Sequence, residues 1–329
     1  MKRKNALLFA VLGALGLAVL ITMIAYLNSP AMDYDYIATP QGVIITGVGR
    51  VKGGVWEVPE EIDGIPVVQL GRTDLAYGKP LFEENSTQLT DLFIPANVKV
   101  IAREAFRGCI ALERVRFAED SPLTTLPLYA FDGCSALREV TLHAALTMID
   151  SCAFQDCTAL ETVRLPEGSA LTEIGQYAFS GCSALVELFL PSTVQKLGEC
   201  AFNGCTALQR FAIPTDSMLK EIGRSCFAEC HLAEISLPAG LEVIGARAFG
   251  ECVGLVRVHM AKTDAWKYRV DSTDTAEGEP PATEMLEGLL LATPEYAAQT
   301  LLNFKDELRR HRAFETSPPL NKGQNAREE

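Results

Sequence analysis

Apolar residues recur in this chain on a clock. From residue 89 the pattern Leu-x-x-apolar-x-apolar returns repeatedly, as in Leu160-Glu-Thr-Val163-Arg-Leu165 and Leu232-Ala-Glu-Ile235-Ser-Leu237. An incomplete copy, Leu89-Thr-Asp-Leu92-Phe-Ile94, precedes them. Alternation of this kind predicts a short strand with one buried face. Pro95, Pro166, Pro191, Pro214 and Pro238 follow such strands. Proline has no N–H to donate to a ladder, so it ends each one. A second apolar pair, such as Leu171 and Ile174, then leads into an Ala-Phe turn. Ala-Phe stands at 105–106, 130–131, 153–154, 178–179, 201–202 and 248–249, with Cys226-Phe227 as a variant. The phenylalanines are spaced 25, 23, 25, 23, 25 and 22 residues apart. A period of this length predicts a solenoid. One coil buries too little to offset the entropy of ordering it, so the coils must stack and share their apolar faces.

Upstream the pattern is different. Ala6 to Leu27 is an unbroken apolar run of 22 residues, preceded by Lys2, Arg3 and Lys4. A helix of that length reaches about 33 Å, enough for a hydrocarbon core of about 30 Å. The basic flank places the short end in the cytoplasm and the rest outside. The run reads as a retained signal-anchor. Ser29-Pro30-Ala31 offers a small-x-small site, so a cleaved signal is the alternative.

The repeat residues resemble the treponemal-type, or BspA-like, leucine-rich repeat family. The resemblance lies in Ile174-Gly-Gln-Tyr-Ala-Phe-Ser-Gly-Cys-Ser-Ala-Leu185 and Ala201-Phe-Asn-Gly-Cys-Thr-Ala-Leu208. It covers residues 89–260 and extends upstream to Trp56. It implies a parallel-stranded solenoid on a cell surface, used for adhesion or partner binding rather than catalysis. Residues 72–88 depart from it: Gly78-Lys79-Pro80 replaces a regular Ala-Phe turn.

The chain therefore divides into a cytoplasmic stub (1–5), a transmembrane signal-anchor (6–27), a juxtamembrane linker (28–36) and an N-terminal β lead-in (37–88). The solenoid (89–260) comes next. A capping strand and flexible linker (261–292), an amphipathic helix (293–312) and a disordered tail (313–329) close it. Trp266 to Val270 is the expected capping strand. In the helix, Thr293-Pro294-Glu295 reads as cap, first position and first-turn acid, and Ala297, Leu301, Phe304 and Leu308 share a face. That helix either docks on the solenoid end or binds a partner.

Three longer coils carry Glu119-Asp120-Ser121, Glu167-Gly168-Ser169 and Thr215-Asp216-Ser217, 48 residues apart. They predict a row of small polar bumps on one edge. Duplication of a two-coil unit explains them, and they hold too few carboxylates for a strong calcium site.

Composition narrows the function. The formal net charge of −13 and a sequence pI near 4.9 argue against nucleic acid, which needs a basic surface. Seven of the 10 cysteines stand three residues after each Phe, at 109, 134, 157, 182, 205, 230 and 252. One register occupied by one residue type reads as a column of buried thiols rather than a disulfide framework. No Cys-x-x-Cys occurs, and a regular column makes no zinc tetrahedron. Gly47-Val-Gly49 lacks the following helix of a phosphate loop. His143, His231, His259 and His311 belong to no metal or nucleophile motif and read as solvated surface residues. Asn85-Ser-Thr87 is a formal glycosylation sequon that an envelope chain of bacterial type would not use. The reading is therefore no enzyme, no cofactor and no metal.

The outward strand positions are more informative. One column reads Arg114, Glu139, Thr162, Glu187, Arg210, Glu234, Arg257, and the other Arg116, Thr141, Arg164, Phe189, Ala212, Ser236, His259. Phe189 interrupts the polarity, and an exposed aromatic beside arginine is the kind of anchor a partner uses. Arg114, Arg116, Arg164, Glu187, Phe189, Arg210, Glu234, Arg257 and His259 are the expected contact residues. The expectation is a single-pass protein of the cell membrane, mostly extracytoplasmic, whose solenoid face binds a host or envelope protein. A structural envelope component that self-associates through the solenoid ends or the C-terminal helix is the alternative.

Overall fold

A computed structural model describes residues 34–49, 51–75, 78–82, 86–260 and 267–269. The expected membrane span at 6–27 and helix at 293–312 lie outside them. Among the described residues, no helix is long and apolar enough to cross a membrane.

The chain enters through a hairpin of β1 (Tyr34–Thr39) and β2 (Gly42–Val48). Strand β1 begins inside the segment expected to be linker, because alternating Tyr34 and Tyr36 pack against the core. A short 3-10 turn (Lys52–Gly54) leads to β3 (Val55–Glu57), then β4 (Glu61–Ile62) and β5 (Ile65–Leu70). From here two kinds of strand alternate. The even-numbered ones are β6 (Asp91–Ile94), β8 (Arg114–Phe117), β10 (Glu139–Thr141), β12 (Thr162–Arg164), β14 (Glu187–Phe189), β16 (Arg210–Ala212), β18 (Glu234–Leu237) and β20 (Arg257–Met260). The odd-numbered ones are β7 (Val100–Ile101), β9 (Thr125–Leu126), β11 (Met148–Ile149), β13 (Glu173–Ile174), β15 (Lys196–Leu197), β17 (Glu221–Ile222), β19 (Val243–Gly245) and β21 (Lys267–Arg269).

Each coil thus gives one strand to each of two parallel walls. One wall runs β3-β6-β8-β10-β12, then continues as the pairs β14-β16 and β18-β20. No ladder joins β12 to β14 or β16 to β18 among the described residues. The other wall runs unbroken from β9 to β21. The result is a leucine-rich repeat β-solenoid of about nine turns. Alternation in the sequence anticipates the first wall. The second wall's strands are mostly two residues long and too short to alternate visibly.

The turns form a third ladder. The N–H of Phe131 donates to the carbonyl of Ala153, that of Phe154 to Ala178 and that of Phe179 to Ala201, each at 2.8 Å. The phenylalanines are fully buried and stack ring on ring from Phe106 to Phe249. Neighbouring centroids lie 5.1–5.5 Å apart, with interplanar angles of 3–12°. At the N-terminal end Trp56 closes the stack, its centroid 5.6 Å from Phe82 and 6.2 Å from Phe106.

All ten cysteines are free thiols. The column is buried as expected but is more than an apolar filler. Cys134, Cys157, Cys182, Cys205 and Cys230 each donate S–H to the carbonyl of the preceding coil's Phe at 3.2 Å, and Cys252 at 2.8 Å. A buried carbonyl that already serves its own turn gains a second donor from the next coil.

Two expectations fail. His143 is not at the surface: it is 3% exposed and its ring packs 5.6 Å from Phe117. It sits two residues past β10, where other coils have proline. The polar bumps are also incomplete. Glu119, Asp120, Glu167, Gly168, Thr215 and Asp216 are exposed, but Ser121 and Ser169 are buried. The Oγ of Ser121, Ser169 and Ser217 each accepts the N–H two residues on, closing a local turn.

Candidate partner-binding face

Alternation in β6 to β20 buries Leu92, Val115, Val140, Leu188, Phe211, Ile235 and Val258 and turns the flanking positions outward. Parallel register then lines the outward residues into two columns. Asp91 lies beside Arg114, Arg114 beside Glu139, Glu187 beside Arg210 and Glu234 beside Arg257. The second column aligns Phe93 with Arg116, Thr141 with Arg164, Phe189 with Ala212 and Ser236 with His259. The expected residues Arg114, Arg116, Arg164, Glu187, Phe189, Arg210, Glu234, Arg257 and His259 are all exposed on this one face. Its eight strands span about 34 Å at about 4.8 Å per step.

The face is a ladder of ion pairs. The Arg114 guanidinium donates to Asp91 at 2.5 Å and that of Arg164 to Glu139 at 2.5 Å. Arg210 lies 3.2 Å from Glu187, and Arg257 and His259 each lie 3.7 Å from Glu234. The bond to Asp91 raises the pKa of Arg114 above its ordinary value. These groups are largely exposed, so each pair contributes only about 0.2–1 kcal/mol and mainly orders the side chains.

Two aromatic sites break the charge pattern. Phe189 is 52% exposed, and the Arg210 guanidinium sits 5.7 Å from its ring centroid. Phe93 is half-buried, with Arg116 5.9 Å from its centroid. Arg116 has no carboxylate partner among the described residues. Asp91 and Phe93 belong to this face but were not among the expected residues. They stand on the incomplete first repeat, though its Leu-x-x-Leu-x-Ile pattern already marks both as outward.

Arg114, Arg164, Arg210 and Arg257 are each tied to a neighbouring acid, which breaks the positive charge of the face into paired units. Among the described residues no group of three or more His, Cys, Asp or Glu side chains is placed to hold a metal ion. Burial pushes the Cys109 thiol up to about 12 and the thiols of Cys134 and Cys157 well above their ordinary value, which favours their protonated form.

The chain resembles solved structures that include leucine-rich repeat proteins. A leucine-rich repeat protein of T. pallidum, TpLRR, is 30% identical, with 68% of this chain and 87% of that one covered at a TM-score of 0.48. A leucine-rich cell surface protein of Faecalibacterium prausnitzii A2-165 is 23% identical, covering 72% of this chain and 57% of that one at a TM-score of 0.48. The pneumococcal vaccine antigen PcpA is 20% identical, covering 70% and 69% at a TM-score of 0.49. No match was found among curated proteins. The family described as BspA type leucine rich repeat region matches residues 78–208 and 172–264, with 6 copies. That span exceeds half of the chain, and it contains the Phe stack, the thiol column and nearly all of the ion-pair ladder: the chain belongs to the BspA-type leucine-rich repeat family.

Proposed function

We propose that the chain is a membrane-anchored, extracytoplasmic binding protein that presents its ion-paired wall to another protein. The observation that carries this reading is Phe189, half-exposed at the middle of a face of paired charges and small polar residues. An aromatic ring held by an arginine and ringed by neutralised polar groups has the composition of an interface anchor. The 22-residue apolar run at 6–27, with Lys2, Arg3 and Lys4 before it, supports the anchor and the orientation. The wall works as a scaffold for recognition, with no reaction assigned to it.

The test uses the full chain, solubilised in detergent and immobilised, to capture proteins from envelope extract. Phe189→Ala combined with Arg164→Ala is expected to cut capture of the bound protein about tenfold or more, as for a central anchor. Capture unchanged by this double substitution would remove the face from consideration.

A further inference from the structure

The charge order along the wall is self-complementary. From β6 to β20 the first column reads Asp91, Arg114, Glu139, Thr162, Glu187, Arg210, Glu234, Arg257. A two-fold axis parallel to the strands and midway between β12 and β14 brings each strand opposite its mirror in the order. Asp91 then meets Arg257, Arg114 meets Glu234 and Glu139 meets Arg210, each contact occurring twice. Thr162 meets Glu187. In the second column the same rotation sets Arg164 over Phe189 of the other copy, twice, at the centre. Phe93 meets His259, Arg116 meets Ser236 and Thr141 meets Ala212. No like charges come together. A two-fold along the stacking axis instead keeps the order and lays the first column over the second, which sets Arg114 against Arg116 and Arg257 against His259.

We propose that the partner this face fits is a second copy of the chain, docked wall to wall in antiparallel order. The inference rests on the binding-face reading and names the occupant. Asp91, Arg114, Glu139, Arg210, Glu234 and Arg257 each gain an opposite charge from across the interface, which extends their pairs within one wall into a checkerboard. The net charge of −13 opposes association of the chains elsewhere on their surfaces, whereas on this wall arginines match the acids. A contact about 34 Å long and three to four residues wide falls below the roughly 1,200 Å² of a stable interface, so the dimer is a weak one.

Two full-length chains carrying different tags, in detergent, are tested for co-capture at increasing concentration. The unsubstituted chains capture one another. Glu139→Arg creates two repulsive contacts against Arg210, and Arg210→Glu creates two against Glu139. Each variant is expected to lose self-capture, by on the order of a hundredfold in concentration. A mixture of the Glu139→Arg chain with the Arg210→Glu chain restores it, because both contacts are again between opposite charges. Asp91→Arg mixed with Arg257→Glu gives the same rescue at the far ends. Arg72→Glu, away from the wall, changes nothing. Rescue by mixing has no explanation in damaged folding of either chain. The proposal is overturned if unsubstituted chains do not capture one another at millimolar concentration, if Glu139→Arg chains pair normally, or if neither mixture restores pairing. Should it fail while Phe189→Ala with Arg164→Ala still abolishes capture of an envelope protein, the binding face stands and only the occupant is wrong.

Discussion

His143 stands where Pro95, Pro166, Pro191, Pro214 and Pro238 stand in other coils, and its imidazole is shut away with no hydrogen-bond partner among the described residues for either ring nitrogen. Burial holds its pKa below the ordinary histidine value. In the unfolded chain it takes up a proton near pH 6.5, a proton the folded state resists. Its neutral form therefore supports the fold above about pH 6.5, and that support is lost as the pH falls below it. Urea unfolding at pH 7 and pH 5 should show the wild type weakening in acid and His143→Leu weakening less. At pH 7 the same substitution should stabilise by about 1 kcal/mol, since it removes an unsatisfied buried group. A second residue-scale feature is the turn before each cysteine. Gly108, Gly133, Gly181 and Gly204 take left-handed φ there, and Glu229 takes φ 65° without glycine's freedom. Glu229→Gly should stabilise the fold by about 1 kcal/mol, read from the denaturation midpoint. The recurrent Gly-Cys made that turn visible in sequence. The burial of His143 was not visible, because one residue departing from the repeat carries no period.

Among the elements, the second wall depends on close approach of successive coils. Gly175, Gly198 and Gly223 follow its strands, and a Cβ on Gly198 would stand 2.5 Å from the carbonyl carbon of Gly175. A Cβ on Gly223 would stand 2.5 Å from that of Gly198. Gly198→Ala must push two coils apart, and a loss of about 1–3 kcal/mol is expected in chemical denaturation. The alternating first wall was legible from Leu-x-x-apolar-x-apolar. The second was not, since pairs such as Glu173–Ile174 and Lys196–Leu197 are too short to show a period of two. The cysteine column was legible as a buried register. Its S–H bonds to phenylalanine carbonyls were not, because they depend on how one coil sits on the next.

For the whole molecule, a thiol census distinguishes a stack held by packing from one held by bridges. All 10 cysteines should titrate after denaturation without reductant, while in the native protein Cys200, the half-buried one, should react first. The outward columns of the first wall were readable residue by residue from alternation. Which arginine pairs with which acid was not, because that needs the register of strands some 23 residues apart. The ends of the solenoid were the least legible part. Strand β1 begins earlier than the linker boundary drawn from composition, and the end coils have no repeat to average over.

The missing ladders between β12 and β14 and between β16 and β18 divide the first wall into three blocks. Tension applied along the long axis meets fewer backbone bonds at those two levels, where the odd-numbered strands and the turns must carry the load. The molecule is thus a rod with two compliant joints, and under force it should extend there before any single block comes apart.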